Sequence, residues 1–306
     1  MKKIFCLCVV FVNFHQQVKS QGCSDAGFCT IGTLQPQQPS DSAFKHNFKL
    51  SLSYGQGEQG VTVIQTIPEL EFSFFKNNFI QLKAPFLLIN GNLGNNNGVG
   101  DVSFSISQTI VKTDKIKFNL TVGAKIATGK SDAKINNRPL PMPYQISLGT
   151  YDIIFGTSLQ YKYWNLGLGF QGVLINKNEN TFLHSTWTNN ADAQTYFESN
   201  FLDRGNDALL RIEKSFKLKQ LNLTPGLIAI YHLQESSLID TSGNRIAIKQ
   251  SDGLTLNITG NARYNFSNRT GINLSFGFPA IVRKVRPDGL TRQFVLTATF
   301  NYHFGK

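Results

Sequence analysis

Arg292-Gln-Phe-Val-Leu-Thr-Ala-Thr-Phe-Asn-Tyr-His-Phe304, almost at the end of the 306-residue chain, decides the fold. Phe294, Leu296, Ala298, Phe300, Tyr302 and Phe304 occupy alternate positions, with Val295, Thr297, Thr299, Asn301 and His303 between them. A period of two belongs to a strand, whose successive side chains point to opposite faces. In water, an apolar face unbroken over six positions would be an aggregation-prone edge. In a bilayer it is one stave of a closed barrel turned toward lipid.

The segment also resembles the C-terminal signal of bacterial outer-membrane barrel proteins, an alternating strand ending in Phe, although Gly305-Lys306 follow it here. That resemblance implies engagement with the barrel-assembly machinery through this strand.

Working outward, the same alternation recurs. Staves are expected at about 44–54, 70–74, 80–88, 102–110, 116–126, 148–161, 166–174, 208–212, 221–231, 254–266 and 272–282, which with the last makes about twelve. The predicted fold is therefore all-β, a transmembrane antiparallel barrel over residues 44–306. Connection lengths support it independently: short turns at 76–78, 112–115, 162–165, 217–220 and 267–270 fall on one end. Longer loops at 55–60, 90–98, 129–145, 176–206, 234–252 and 284–289 fall on the other. Outer-membrane barrels sort their connections this way, short on the periplasmic side and long outside, whereas a soluble sandwich has no reason to. Composition agrees: 41% of residues are hydrophobic, yet no run beyond residue 20 approaches a membrane helix. Tyr161, Tyr163, Trp164, Tyr264 and Phe266 fall near stave ends, where rings with polar tips favour the headgroup level.

Residues 1–20 read as a secretory signal: Lys2-Lys3, the short apolar run 4–12, then Val18-Lys19-Ser20 before the cut. Lipidation at Cys23 is the competing reading, weakened by Ser20 where a bulky aliphatic residue is expected. After the cut only Cys23 and Cys29 remain, and an even pair in an exported chain suggests a disulfide closing a small loop. A metal or redox role has less behind it, since no His is near and the spacing is not Cys-x-x-Cys. Residues 21–43, rich in Gly, Gln and Pro, are expected as a periplasmic lid or plug whose Cys23–Cys29 loop lodges in the lower lumen. The formal charge of +11 comes from bases scattered through turns and strands, which argues against nucleic acid.

Gly98-Val-Gly-Asp-Val102 and Pro141-Met-Pro-Tyr-Gln-Ile-Ser-Leu-Gly-Thr-Tyr-Asp-Ile-Ile-Phe-Gly156 resemble the outer-membrane barrel family named for the MetA pathway of phenol degradation. The resemblance is clearest over about 98–172, and that family is loosely similar to fatty-acid and aromatic-hydrocarbon channels. It implies transport of small solutes, hydrophobic or aromatic ones among them, without naming a cargo. The competing class is a structural or adhesive barrel, with a sealed lumen and partner-binding outer loops.

If apolar residues face lipid, Lys45, Lys49, Lys83, Lys117, Lys125, Arg211, Lys217, Arg263 and Arg283 face the lumen, with Glu69, Glu71, Asp101, Asp152 and Glu213. That excess of bases predicts a mild anion preference. Catalysis has thin support. His184-Ser185 are neighbours that point apart, and His232 with Ser236, Ser237 and Asp240 would make a nucleophile and base only if the loop folds back. The Gly/Asn cluster at 90–98 lacks the Lys-Ser/Thr and helix of a phosphate loop and is expected as a plain loop. Repeated Asn-x-Ser/Thr triplets follow from a polar inner face. No cofactor and no metal is called for.

Overall fold

The computed structural model describes residues 31–34, 45–75, 77–289 and 292–305. The signal segment, the Cys23–Cys29 pair and most of the expected lid lie outside the described residues.

Twelve staves close into an antiparallel barrel. They are β1 (His46–Gly57), β2 (Thr62–Phe72), β3 (Asn78–Lys83, resuming as Phe86–Gly91) and β4 (Gly94–Val99, resuming as Val102–Lys112). There follow β5 (Ile116–Ile126), β6 (Thr150–Tyr161), β7 (Trp164–Asn176) and β8 (Asp207–Lys214, resuming as Phe216–Leu218). The last four are β9 (Leu221–His232), β10 (Gly253–Asn265), β11 (Thr270–Ile281) and β12 (Arg292–Phe304). Neighbours in sequence are neighbours in the sheet, and β1 pairs with both β2 and β12, so the ring has no open end. Closure is what a bilayer demands, because backbone groups there find no water. The register places Leu50 opposite Phe300 and Leu52 opposite Ala298, with Lys49 opposite Asn301 on the inner face.

Outward positions are apolar and uncovered all round, among them Leu52, Ile106, Val122, Leu168, Leu210, Leu274 and Leu296. Inward positions are polar: Asn47, Ser53, Ser105, Asn119, Ser158, Asn257 and Asn301 are all buried. No helix among the described residues is long and apolar enough to cross a membrane, and here strands do the crossing.

One expectation needs correcting. The Gly/Asn-rich 90–98 is no loop: Gly94–Val99 pairs with Phe86–Gly91, so the hairpin turns only at Asn92-Leu93. The tall outer half of β3 and β4 continues past a break at Ala84-Pro85 and Gly100-Asp101. Pro68 of β2 lies beside that break, and neither it nor Pro85 has an N–H to donate. The ladder therefore skips a rung and resumes, with Gly100 N–H donating to the Pro85 carbonyl at 2.8 Å. Asparagine and glycine disfavour strands on their own, but backbone pairing at a closed wall overrides that weak preference.

The same end of the molecule as this tall hairpin is built from the long connections. Within them run two small hairpins, Lys134–Ile135 with Arg138–Pro139 and Ser237–Ile239 with Arg245–Ala247, and four 3-10 turns, Glu58–Gly60, Met142–Tyr144, His184–Trp187 and Ala193–Thr195.

Candidate functional site: the barrel interior

At mid-height the wall carries small inward residues. Ser105, Ser107, Thr121, Gly123, Gly156 and Ser158 stand on β4, β5 and β6, and residues 31–34 lie against them inside the barrel. Gly32 N–H donates to Gln81 Oε1 at 2.7 Å. Ile31 and Leu34 are buried against Ile154, Leu209 and Ile228, three inward apolar residues that break the polar rule of the wall. Gly32 is required here: its φ is +51°, and a Cβ would come within 2.4 Å of Thr121 Cγ2 and 2.6 Å of Ser107 Oγ. Gly156 has the same relation to Leu34, whose Cγ would be 2.8 Å from an added Cβ.

Beside this segment the interior charges form ladders. Lys49 Nζ bridges Glu69 (2.9 Å) and Glu71 (2.6 Å), and Glu69 also receives Lys83 at 3.1 Å. Gln81 donates to Glu69 Oε1 at 2.7 Å, so the residue that holds Gly32 is itself held by the ladder. Across the lumen, Lys125 meets Asp152 at 3.0 Å and Asp101 at 3.4 Å, and Arg211 meets Glu213 at 2.9 Å. Arg283 pairs with Asp288. Lys117 and Arg263 are half-buried near the short-turn end, Arg263 donating to Asn265 Oδ1 at 3.0 Å. Lys45 and Lys217 depart from the expected lining: their parity is inward but both are exposed at the rim, beyond the enclosed lumen. Sequence reasoning missed Arg204, which pairs with Asp207, and Arg286, which meets Glu58 at 2.7 Å. These lie in long loops or at a strand's first residue, where alternation gives no register to read. With them counted, bases and acids of the interior nearly balance.

At the long-loop end a hydrophobic core sits inside the mouth. Val61, Val63, Leu87 and Ile89 face inward from β2, β3 and the turn before β2, under Leu93, Leu140, Tyr144, Phe182, Trp187 and Tyr196. Trp187 Nε1 donates to the Pro139 carbonyl at 2.7 Å, and Tyr144 and Tyr196 share a hydroxyl contact at 3.1 Å. Burial raises both phenols above the ordinary tyrosine value, Tyr196 strongly, so they stay neutral hydrogen-bonding groups. Gly289 lets the loop before β12 approach Met142 and Pro143, where a Cβ would be 2.4 Å from the Pro143 nitrogen. Tyr144 also ties the cap to the tall hairpin, its hydroxyl accepting from Leu93 N–H at 3.1 Å and its carbonyl from Asn96 Nδ2 at 2.8 Å.

The loop after β9 does fold back. His232 Nδ1 lies 2.7 Å from Asp207 Oδ1, and its Nε2 lies 3.2 Å from Ser236 Oγ. The acid is Asp207, and Asp240 instead accepts from Ser242 and Asn244 N–H within its own turn. Ser236 is only 1% exposed, and its N–H is taken by Ser251 Oγ at 2.7 Å. Both features oppose a nucleophile, which needs room for a substrate and free donors for an oxyanion. His184 stands apart from Ser185 chemistry, its Nε2 meeting the Tyr196 carbonyl at 2.8 Å.

No family model and no curated protein matches the chain. Among solved structures, it is similar to the COG4313 outer membrane channel from Pseudomonas putida F1. The TM-score is 0.59 at 13% identity, over 88% of this chain and all of that one. It is also similar to the NanC porin (TM-score 0.48, 7% identity, covering 85% of this chain and 100% of that one). A third likeness is to the CymD monoaromatic hydrocarbon channel (TM-score 0.43, 9% identity, 94% and 95%). At 13% identity the first likeness is one of fold, that of an outer-membrane barrel.

Proposed function

We propose that the protein is an outer-membrane channel for small solutes, closed at rest by an N-terminal plug. The observation that carries the reading is the mid-height wall. A barrel meant to be solid is filled by its own inward side chains. Here Ser107, Thr121, Gly123 and Gly156 leave room, and a separate segment, Gly32–Leu34, fills it. A filling that belongs to a tail can leave without the wall unfolding. The short-turn end, where the chain enters β1 and leaves β12, is the periplasmic end in this reading.

The apolar lining under the cap favours apolar or aromatic solutes, in keeping with the resemblance to the phenol-degradation family. The near-balance of interior charge favours only a weak anion preference. The Asp207–His232–Ser236 chain serves as a strut that ties β8, β9 and the following loop together. Single-channel conductance of the purified barrel with and without residues 21–40 tests the proposal. The plug reading expects higher conductance after deletion, and equal conductance would favour a sealed structural barrel.

A further inference from the structure

The short-turn rim is not uniform. Three successive turns, after β4, β6 and β8, and the strand ends that lead into them carry Lys112, Lys115, Lys162, Lys214, Lys217 and Lys219. Among the described residues of the five short turns, Asp114 is the single acid. The turns are locked side by side: Lys162 N–H donates to the Lys115 carbonyl at 3.1 Å, and Ser215 N–H to the Tyr163 carbonyl at 2.8 Å. The lysines are thus held on one sector of the rim and not spread around it.

A second feature points to what the sector meets. Lys162 Nζ lies 5.4 Å from the Tyr161 ring centroid, and Lys214 Nζ lies 5.1 Å from Trp164 and 5.3 Å from Phe216. These rings are uncovered. Trp164 pairs with Tyr161 and with Lys214 across the sheet, so Lys214 and the rings project from the lipid face. An ammonium over an aromatic face at a stave's end is the arrangement that suits the headgroup level, apolar body below and charge above. A lysine elsewhere on the lipid face would be costly.

We infer that this sector is a binding site for the phosphate headgroup of an anionic phospholipid in the adjoining leaflet, with Lys115, Lys162 and Lys214 as its ligands and Tyr161, Trp164 and Phe216 flanking the acyl chains. Charge complementarity and the outward aromatic face select a lipid over an acidic protein, which would meet the lysines of the turns without needing rings on the wall. Clustered lysines near a membrane raise the local concentration of anionic lipid, and each adds to the attraction.

The test is native mass spectrometry of the full-length protein after detergent exchange from mixed micelles holding phosphatidylglycerol, cardiolipin and phosphatidylcholine. The wild type should keep phosphatidylglycerol or cardiolipin in preference to phosphatidylcholine. The triple variant Lys115→Gln, Lys162→Gln, Lys214→Gln should lose that retention by about tenfold or more. A control variant at the long-loop end, Lys130→Gln, Lys134→Gln, Lys249→Gln, should retain as the wild type does. Heat-modifiable migration certifies that each variant is a folded barrel, and Lys162→Gln alone, at an exposed turn, serves if the triple variant does not fold. Equal retention in the triple and control variants overturns the inference, as does retention without preference for anionic lipid. Capture of an acidic periplasmic protein by the sector in place of lipid would also overturn it.

Discussion

The two fillings of the barrel differ in kind. The cap at the long-loop end is a hydrophobic core in its own right, with four large aromatics buried, of which Tyr144, Trp187 and Tyr196 are hydrogen-bonded to backbone or to each other. It is continuous with the wall through Tyr144 and the tall β3–β4 hairpin. The described residues of the plug at mid-height, 31–34, offer two buried apolar side chains and a hydrogen bond to Gln81. Burial free energy scales with apolar area, so the cap is a fixed part of the outer end and the plug is the closure that yields. Rigidity of the mouth and closure of the lumen are thus assigned to separate pieces of chain.

The comparison breaks most visibly at the cap. Trp187→Ala removes a buried indole and its bond to Pro139, and should cost the cap about 3–5 kcal/mol. Protease cutting within 176–206 should rise sharply while heat-modifiable migration persists, and resistant loops would show the cap is not a cooperative core. Glu69→Gln strips the carboxylate shared by Lys49 and Lys83. A buried pair broken from one side costs about 3–5 kcal/mol, to be read as a lower urea midpoint of the whole barrel, and an unchanged midpoint would mean the ladder is solvated.

At the plug the effects are smaller and local. Gly32→Val collides with Thr121 and Ser107 and forces a left-handed backbone that costs a non-glycine residue about 1–2 kcal/mol. Conductance should rise with the urea midpoint unmoved. Smallest is selectivity: reversal potentials in a salt gradient should show a slight anion preference that falls with Lys117→Gln. Clear cation selectivity would mean the interior registers are wrong.

Most of this fold is written in period-two patterns, because the solvent on one side of the wall is lipid. Leu50, Leu52 and Phe300 face out as their alternation requires, and Lys49, Lys83 and Asp152 take inward positions that alternation alone assigns. The pattern fails where the partner is not lipid. Val61, Val63, Leu87 and Ile89 are inward and apolar because the cap covers them, and no local period announces a loop folding back from residues 140–196. Ile154, Leu209 and Ile228 are apolar inward for the same reason, with Ile31 and Leu34 as their distant partners. Gly94–Val99 fails differently: weak strand formers are held by pairing with Phe86–Gly91. Asp207 as the partner of His232 was hidden because cross-strand proximity, and not sequence distance, brings it there.

Ser107 gives the most direct access to the central claim, since its hydroxyl bonds Thr121 at 2.7 Å and faces Gly32. Ser107→Cys, assayed with a small membrane-impermeant thiol reagent by mass spectrometry at that residue, should be unreactive in the full-length protein and readily labelled once residues 21–40 are deleted. Labelling in the full-length protein would show that the segment does not occupy the lumen. Protection after deletion would show that the wall fills itself, and the barrel would be structural and not a plugged channel.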